Sequence, residues 1–394
     1  MTYLFTYKNG KKALGITNIN YGLAIKAGNK TVYPLLVSTS ATNASCVRTK
    51  INNQIRSIAY VPSLVIPMLL CSKEGSSYND ASGINYTNRY YRSCYFDRKY
   101  GHYIAFSSYR GISGDTTNVV AISKDGRNWT EKYILAEQQA TAIAAASTNE
   151  GVILFQYYVN VLSQYDSEIY IKGYQFSLSG NTIQTQEKYS RKLYDGYPSD
   201  YWVDGRLKIA TNGADKINLY IHYEKDGSGT THTDFYDFLN INVTNNTITH
   251  IDYWEKDAVW YNRVLNRFFY KESNDIYISS DGINFSLTSG NYQISYGNLN
   301  GAEVFAGGLS TDGYNISQPY TYRPNTYDPV EQKYIRIETS FSYQSTYVQY
   351  YVDIYESTNL TSWTRVIRKT YPTVLAPQTL ETVNTDGFAG VQGF

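Results

Sequence analysis

The residue types that catalyse reactions or hold metals are sparse in this sequence and fall in no recognised spacing. The four histidines match no HExxH-type zinc pattern, and no G-x-S-x-G elbow or phosphate-binding glycine loop is present. The three cysteines are an odd number at no metal-ligand spacing, which predicts free thiols. Paired carboxylates for glycoside hydrolysis could come from the stretch with Asp195, Asp200 and Asp204, but solvated turns are the favoured explanation of these residues. The sequence therefore predicts no catalytic residue, no metal and no cofactor.

Two aromatic-rich segments outside the strand patterns are better candidates for binding. Tyrosine and tryptophan in loops offer flat faces that stack on sugar rings or anchor protein interfaces. Burial against a neighbouring strand is the alternative for each of them. The candidate ligand-binding residues are Tyr197, Tyr201 and Trp202 in the first segment, and Tyr253, Trp254, Trp260 and Tyr261 in the second.

The composition indicates which elements hold these segments. Tyrosine dominates the apolar residues, with 43 Tyr against 14 Phe and 2 Met, and Asn, Ser, Thr and Gly clusters interrupt almost every apolar run. These features favour strands joined by tight turns, so we predict an all-β protein. The net charge of +1 gives no basic surface for nucleic acid. The apolar run from Tyr60 to Cys71 is too short to span a membrane, and the N-terminus shows no signal-peptide pattern, which predicts synthesis in a cytoplasm.

A short repeat gives the strongest indication of fold. Three ten-residue segments align without gaps: a strand ends in Ser or Thr, Asp or Asn opens a turn, and an aromatic residue follows four positions later. Asp and Asn side chains accept hydrogen bonds inside such turns, and glycine permits the backbone angles. The repeat residues are Ser123, Asp125, Gly126 and Trp129, then Ser279, Asp281, Gly282 and Phe285, and finally Asn359 and Trp363.

This repeat resembles the Asp-box, also called the BNR repeat, of sialidase-type β-propellers, in a form one residue shorter that is similar to repeats of phage and bacterial surface propellers. The resemblance implies a turn between the third and fourth strands of each blade. Counting Asp125, Ser179, Asn245, Asp281 and Asn359 favours five blades, and STDGYNIS at Ser310 leaves six open. Two β-sandwiches are the alternative architecture. The early Arg-Ile-Pro motif of sialidases is absent.

The chain divides into three predicted regions. Residues 1–71 contain three hairpin-like units with turns at Asn9-Gly10, Gly28-Asn29 and Asn52-Asn53, which predict a small β module. Residues 72–88 have the composition of a linker or loop, and residues 89–394 are assigned to the propeller. A strand within 371–383 is expected to pair with the first blade and close the ring.

The expected function is host attachment by a phage or phage-like tail protein. On this hypothesis, the N-terminal module contacts other virion proteins, and the propeller binds a host surface receptor, a glycan or a protein. The particle would be a virion or an extracellular tail-like assembly, with a homotrimer as the default state. A purely structural virion or baseplate component is the main alternative, and a sialidase-like hydrolase is the third.

Overall fold

The protein is built from β-strands throughout the part of the chain that the structure describes. The computed structural model gives the strands between Phe5 and Pro67 by their backbone. It continues from 71 to 371 with gaps at 75, 84–88, 98, 111–115, 135–141, 164–165, 197–204, 227–231, 291, 329–330 and 344–347. No helix occurs within these ranges, so none there could cross a membrane. The all-β prediction is confirmed for this part of the chain.

Seven N-terminal strands form two antiparallel sheets, in the orders β1-β2-β3-β4 and β5-β6-β7. The strands that flank each of the three predicted hairpin turns are paired with one another. The strand bounds are β1 Phe5–Lys8, β2 Lys11–Ile19, β3 Gly22–Ala27, β4 Lys30–Val32, β5 Leu35–Ser38, β6 Ala44–Ile51 and β7 Gln54–Pro62.

A three-stranded sheet follows, with the order β10-β9-β8 and the bounds β8 Val65–Pro67, β9 Cys71–Glu74 and β10 Ser77–Asp80. The segment that we predicted as a linker or loop therefore contains paired strands as far as Asp80. Its periodicity is hidden because the buried residues are polar: Ser72 and Lys73 are 0% and 1% exposed. A pattern search for alternating apolar residues cannot find such strands.

Six four-stranded antiparallel sheets come next, and in each the hydrogen-bonded order equals the order along the chain. We number these sheets blades 1 to 6. Blade 1 contains β11 Arg89–Asp97, β12 His102–Arg110, β13 Thr116–Ser123 and β14 Thr130–Ile134; blade 2 contains β15 Ala142–Thr148, β16 Gly151–Ser163, β17 Asp166–Ser179 and β18 Thr182–Gly196; blade 3 contains β19 Gly205–Thr211, β20 Lys216–Asp226, β21 His232–Asn242 and β22 Thr247–Asp252. Blade 4 contains β23 Ala258–Asn262, β24 Arg267–Glu272, β25 Asp275–Ser279 and β26 Ser286–Thr288; blade 5 contains β27 Asn298–Leu299, β28 Ala302–Phe305, β29 Gly308–Ser310 and β30 Gln318–Pro319; blade 6 contains β31 Thr326–Asp328, β32 Lys333–Tyr343, β33 Val348–Ser357 and β34 Thr364–Tyr371.

The fold is thus a six-bladed β-propeller, and the favoured count of five blades was wrong. The additional blade is blade 5, whose STDGYNIS turn connects β29 to β30. Its strands are only two to four residues long. Strands this short are below the usual length and carry little sequence periodicity, which is why the blade count failed there.

The propeller core lies between neighbouring blades. Ile104 of blade 1 packs with Val152 and Phe176 of blade 2 in one cluster of buried residues. Phe238 of blade 3 meets Tyr270 of blade 4 edge-on, with ring centroids 5.6 Å apart. Similar clusters join blades 2 and 3 and blades 5 and 6, while a hydrogen bond from Asn262 to the carbonyl of Gly313 links blades 4 and 5. Because both faces of a blade are covered, its inner strands are nearly continuously apolar.

The three-stranded sheet β8–β10 joins the last blade to the first. On one side, Lys73 pairs with Asp328 and Glu356 of blade 6. On the other, Ser82 just beyond β10 exchanges backbone hydrogen bonds of 2.8 and 2.9 Å with Arg127 and Trp129 of blade 1. These contacts complete the ring of sheets within the described residues. The predicted closing strand at 371–383 lies outside them, except for Tyr371 at the end of β34.

The repeat turns all connect the third strand of a blade to the fourth. In the Asp281 turn, Oδ1 accepts hydrogen bonds from Ser279 Oγ and from the backbone N–H groups of Ile283 and Asn284, each at 2.8 Å. Burial would raise the pKa of Asp281, but these hydrogen bonds to the carboxylate hold it well below its ordinary value. The turns at Asp125, Asp312 and Asn359 have the same arrangement.

Candidate functional site

The structure separates the aromatic residues that the sequence put forward. Tyr197, Tyr201 and Trp202 lie outside the described residues. Tyr253 and Trp254 are on the surface, 65% and 71% exposed. Trp260 and Tyr261 belong to strand β23 rather than to a loop: Trp260 is 4% exposed and stacks on Phe269 with centroids 5.1 Å apart, and Tyr261 packs on Phe268. Trp260 is therefore closed to a surface ligand and Tyr261 is half-buried, whereas Tyr253 and Trp254 are open to solvent. The binding role of these residues stays a prediction.

Ion pairs of a buried lysine and a backbone hydrogen bond fix the loop that carries Tyr253 and Trp254. Lys256 is fully buried and pairs with Asp252 and Glu272 at 3.2 and 3.0 Å, and its ammonium lies 4.5 Å from the centre of the Tyr270 ring. The backbone N–H of Trp254 donates to Asp252 Oδ1 at 3.0 Å. This anchoring fixes the backbone while leaving both aromatic side chains in solvent.

A pair formed by the buried Asp237 and the partly buried His250 lies next to the same loop. His250 Nε2 is 3.3 Å from Asp237 Oδ1, and the His250 ring contacts Tyr253 at a centroid distance of 3.8 Å. Burial raises the pKa of Asp237 to about 6, although the Tyr223 hydroxyl and the charge of Arg191 act in the opposite direction. Burial lowers the pKa of His250. A shifted pKa suits acid–base chemistry, but Asp237 is only 3% exposed, which keeps it from a substrate on the surface.

The Asp-rich stretch does not provide a described catalytic cleft. Asp195 is near the end of β18, where only the backbone is described, and Asp200 and Asp204 lie outside the described residues. Within the part of the chain that the structure describes, no group of three His, Cys, Asp or Glu residues could hold a metal ion.

A cavity of about 450 Å³ lies between blade 5 and blade 6. One wall is the outer strand β30 with Ser317 before it, and the opposite side is formed by blade 6. None of the lining side chains is charged. The cavity is lined by Ser317, Gln318, Pro319, Tyr327, Gln332, Tyr334, Thr358, Asn359, Leu360 and Thr361.

The Asn359 turn forms a rigid wall of this cavity. Ser357 Oγ accepts a hydrogen bond of 2.9 Å from the backbone N–H of Leu360, and Asn359 Oδ1 accepts one of 2.9 Å from Ser362. Leu360 has a φ of 67° and is 1% exposed, so its side chain anchors the turn in the core. The indole N–H of Trp363 donates to the Leu360 carbonyl at 3.0 Å. Every one of these contacts fixes the positions of the wall residues Thr358 to Thr361.

Two tyrosines give the cavity its apolar surface. The rings of Tyr327 and Tyr334 are 4.8 Å apart and inclined at 55°. Tyr334 is 8% exposed and directs its hydroxyl to Gln318 Oε1 at 3.4 Å. Gln332, in the turn before β32, is exposed and adds a second amide. The cavity therefore combines aromatic faces with amide and hydroxyl groups that both donate and accept hydrogen bonds.

One edge of the cavity between blades 5 and 6 could be identified from the sequence, and the rest could not. The Asn359 turn was identified as a repeat, whereas Tyr327, Gln332 and Tyr334 did not stand out. Tyr327 lies in the three-residue strand β31, Gln332 in a turn, and Tyr334 near the start of a strand of ordinary composition. The packing of blade 5 against blade 6 brings the two groups together. A scan of protein-family models found no match to this sequence, and a search of curated proteins found no similar sequence.

Proposed function

We propose that the protein is a binding protein whose propeller recognises a carbohydrate in the cavity between blades 5 and 6. The observation that carries the proposal is the lining: two tyrosine rings, three side-chain amides, three hydroxyl-bearing residues of the Ser and Thr type, and no charged side chain. Sugars present hydroxyl groups that both donate and accept, beside apolar C–H faces that pack on aromatic rings. Specific ligand sites typically pair such apolar surfaces with a few fixed polar groups.

The biological setting that we propose is attachment of a phage or phage-like tail to its host. The six-bladed propeller supports a binding role in general, and the resemblance of its turns to those of phage and bacterial surface propellers supports the setting. The N-terminal sheets would contact other virion proteins, in a homotrimer by default. The cavity lining contains no carboxyl group, so the proposal does not include glycan hydrolysis.

The exposed pair Tyr253 and Trp254 favours one second candidate function, a structural contact with another particle protein. Two adjacent aromatic side chains on a fixed backbone are typical anchors of protein interfaces. This surface belongs to the loop between blades 3 and 4, whereas the cavity lies between blades 5 and 6, so variants can distinguish the two functions.

The test is binding of the fluorescently tagged full chain to candidate host cells and to a printed glycan array. Tyr327→Ala and Gln318→Ala remove a ring face and an amide, and Gln332→Gly removes a second amide while suiting the positive φ of that residue. Each lost hydrogen bond should weaken binding about 3- to 10-fold. Trp254→Ala is the control, since it removes an exposed aromatic side chain outside the cavity.

Saturable binding that is lost after periodate oxidation of the cell-surface glycans and weakened by the cavity variants would support the proposal. Binding that survives periodate and the cavity variants but is lost in Trp254→Ala would point to the protein-contact function. No binding to any cell or glycan, from a chain shown to be folded by circular dichroism, would contradict carbohydrate recognition.

A further inference from the structure

Charged residues are nearly missing from the segment that forms blade 5 and its connections. The sequence as a whole is 18% charged, yet residues 282–322 contain only two charged residues, Glu303 and Asp312. Glu303 is 0% exposed and accepts hydrogen bonds from the backbone N–H groups of Arg263 and Val264. The surface of this segment therefore carries one charge, that of Asp312, and it is negative.

The same segment exposes most of the large apolar side chains that reach solvent. Ten such side chains are exposed among the described residues, and six of them belong to residues 282–322. Single exposed apolar side chains are ordinary, whereas a concentration of them marks a binding surface. The six are Ile283, Leu287, Tyr296, Tyr314, Ile316 and Tyr322.

One part of this surface is continuous with the cavity between blades 5 and 6. Residues 314–319 are all exposed, and the last three of them line the cavity. Tyr314 and Ile316, which are 44% and 38% exposed, therefore continue the cavity wall along the chain. Because Tyr314 is three residues before the wall residue Ser317, their Cα atoms are at most about 11 Å apart. We call residues 314–319 the blade 5 strip.

Hydrogen bonds fix the backbone of the blade 5 strip. Asp312 Oδ1 accepts one of 2.8 Å from the backbone N–H of Tyr314. The backbone N–H of Ser317 donates another of 2.8 Å to the Leu309 carbonyl. The Tyr314 ring lies beside the Tyr292 ring, with centroids 5.3 Å apart. A surface that is already ordered loses little conformational freedom on binding, which favours affinity.

The exposed charge next to the strip indicates which ligands suit it. Hydrogen bonds from Asn315 and from the backbone N–H of Tyr314 hold the pKa of Asp312 well below its ordinary value, so this carboxyl group is ionised at neutral pH. An anionic chain lying on the strip would approach a like charge, whereas an uncharged chain would not. The strip therefore favours an uncharged ligand.

We propose that the ligand is an uncharged oligosaccharide chain, of which one part fills the cavity while the rest continues over the blade 5 strip to Tyr314. This inference rests on the proposed carbohydrate function and specifies its ligand class. The C–H faces of the sugar rings pack on Tyr314 and Ile316, and a sugar hydroxyl group meets the Ser317 hydroxyl between them and the cavity.

The test is titration calorimetry of the full chain with uncharged oligosaccharides of increasing length: glucans, mannans, galactans and chitin fragments, each from the monosaccharide upward. The affinity should rise with length until the chain reaches Tyr314 and then level off. Because the Tyr314 side chain is half-exposed in the free protein, covering it should tighten binding about 3- to 10-fold over a fragment that fills only the cavity. A chain of the same length oxidised to carry carboxylates should bind about 2- to 5-fold more weakly at low salt.

Variants of the strip assign these effects to its residues. Tyr314→Ala should remove the gain from the longer chain and leave the affinity for the cavity-filling fragment unchanged, whereas Tyr314→Phe keeps the ring and should keep the gain. Asp312→Asn should abolish the discrimination against carboxylated chains, and Asn359 shows that asparagine supports the same turn in blade 6. Tyr296→Ala is the control, since it removes an exposed tyrosine of the same segment outside the strip.

Equal affinity for short and long chains would overturn the inference and leave the carbohydrate proposal standing. A gain with length that persists in Tyr314→Ala would overturn the assignment to the blade 5 strip. Tighter binding of the carboxylated chain would overturn the uncharged ligand class. No binding of any oligosaccharide, by a chain shown to be folded by circular dichroism, would contradict both this inference and the proposed function.

Discussion

Replacing Lys73 with methionine tests whether the ring is closed by a buried ion cluster. The Lys73 side chain is fully buried, and its Nζ lies 2.9 Å from Asp328, 3.3 Å from Glu331 and 2.6 Å from Glu356. The hydroxyl of Tyr78 also donates to Glu356, at 2.5 Å. Methionine fills nearly the same volume, so the variant removes the charge and leaves the packing almost intact.

The expected loss of stability comes from the carboxylates that stay buried after the Lys73 charge is removed. Removing one partner of a buried ion pair typically costs about 3 to 5 kcal/mol, because the other partner is left buried and unpaired. Lys333 still contacts Glu356 at 2.7 Å and Glu331 at 2.9 Å, so we expect the lower end, about 3 kcal/mol. For a propeller of about 300 residues, an unfolding entropy of about 2 cal/mol/K per residue converts this into a decrease in Tm of about 5 °C.

The pH dependence gives an independent check. Burial alone would raise the pKa of Glu356, but hydrogen bonds from Lys333, Lys73 and Tyr78 hold it at about 2. A depressed carboxyl pKa stabilises the fold at pH values above the unfolded pKa, and this stability is lost as the pH falls towards 2. Burial also opposes the charge of Lys73, yet hydrogen bonds to Glu356 and Asp328 raise its pKa, so its contribution persists until the pH exceeds the usual lysine value. The deficit of Lys73→Met should therefore be largest near neutral pH and shrink towards pH 3.

Chemical denaturation at pH 7 and pH 3 measures both effects. Lys333→Met is the matched control, since its side chain is 34% exposed and its loss should cost about 1 kcal/mol or less. If Lys73→Met were as stable as the wild type at neutral pH, or equally destabilised at both pH values, the ion cluster would not hold the ring together.

Two further predictions concern the turns and the buried acid. Gly282 has a φ of 78°, and a Cβ atom there would lie 2.8 Å from both Asn218 Oδ1 and Asn240 Nδ2, so Gly282→Ala should destabilise the fold by about 2 to 3 kcal/mol. Gly180 has a φ of 61° and nothing within 4 Å of such an atom, so Gly180→Ala should cost about 1 kcal/mol. Urea unfolding of both variants measures the difference, and equal losses of stability would show that the contact with blade 3 is unimportant. Because burial raises the pKa of Asp237 to about 6, the stability that its protonated form provides is lost as the pH rises through 6. Asp237→Asn should remove this pH-dependent loss, so the stability of the variant relative to the wild type should rise by about 2 kcal/mol between pH 4.5 and pH 8. Denaturation midpoints of both proteins at the two pH values test this prediction, and the same pH profile in the variant as in the wild type would refute it.

The parts of the fold that follow from local rules could be predicted from the sequence. The turns at Asp125, Asp281 and Asn359 were identified because serine, an Asx residue and an aromatic residue at fixed spacing satisfy backbone groups within the turn itself. The same logic reached the Ser310 turn, but the short strands around it left blade 5 uncounted.

Other features depend on contacts that the sequence does not reveal locally. Lys73 is buried among carboxylates that lie more than 250 residues away, so its segment has the composition of a loop. The cavity depends on two blades, and Tyr327 and Tyr334 become neighbours of Gln318 only when those blades pack. Trp260 has the same composition signal as Trp254, yet the strand pairing of β23 buries it.

The position of the closing sheet has a consequence for the order in which the protein folds. Neighbouring blades contact one another locally, but Lys73 meets Glu356 across 283 residues of sequence. At a typical rate of about 5 to 20 residues per second, the ribosome needs roughly 15 to 60 s to complete that interval. During this time the side of sheet β8–β10 that contacts blade 6 lacks its partner. The nascent chain must therefore pass through a long-lived state in which the ring of sheets is still open. We expect this state to be the one that aggregates or is bound by chaperones.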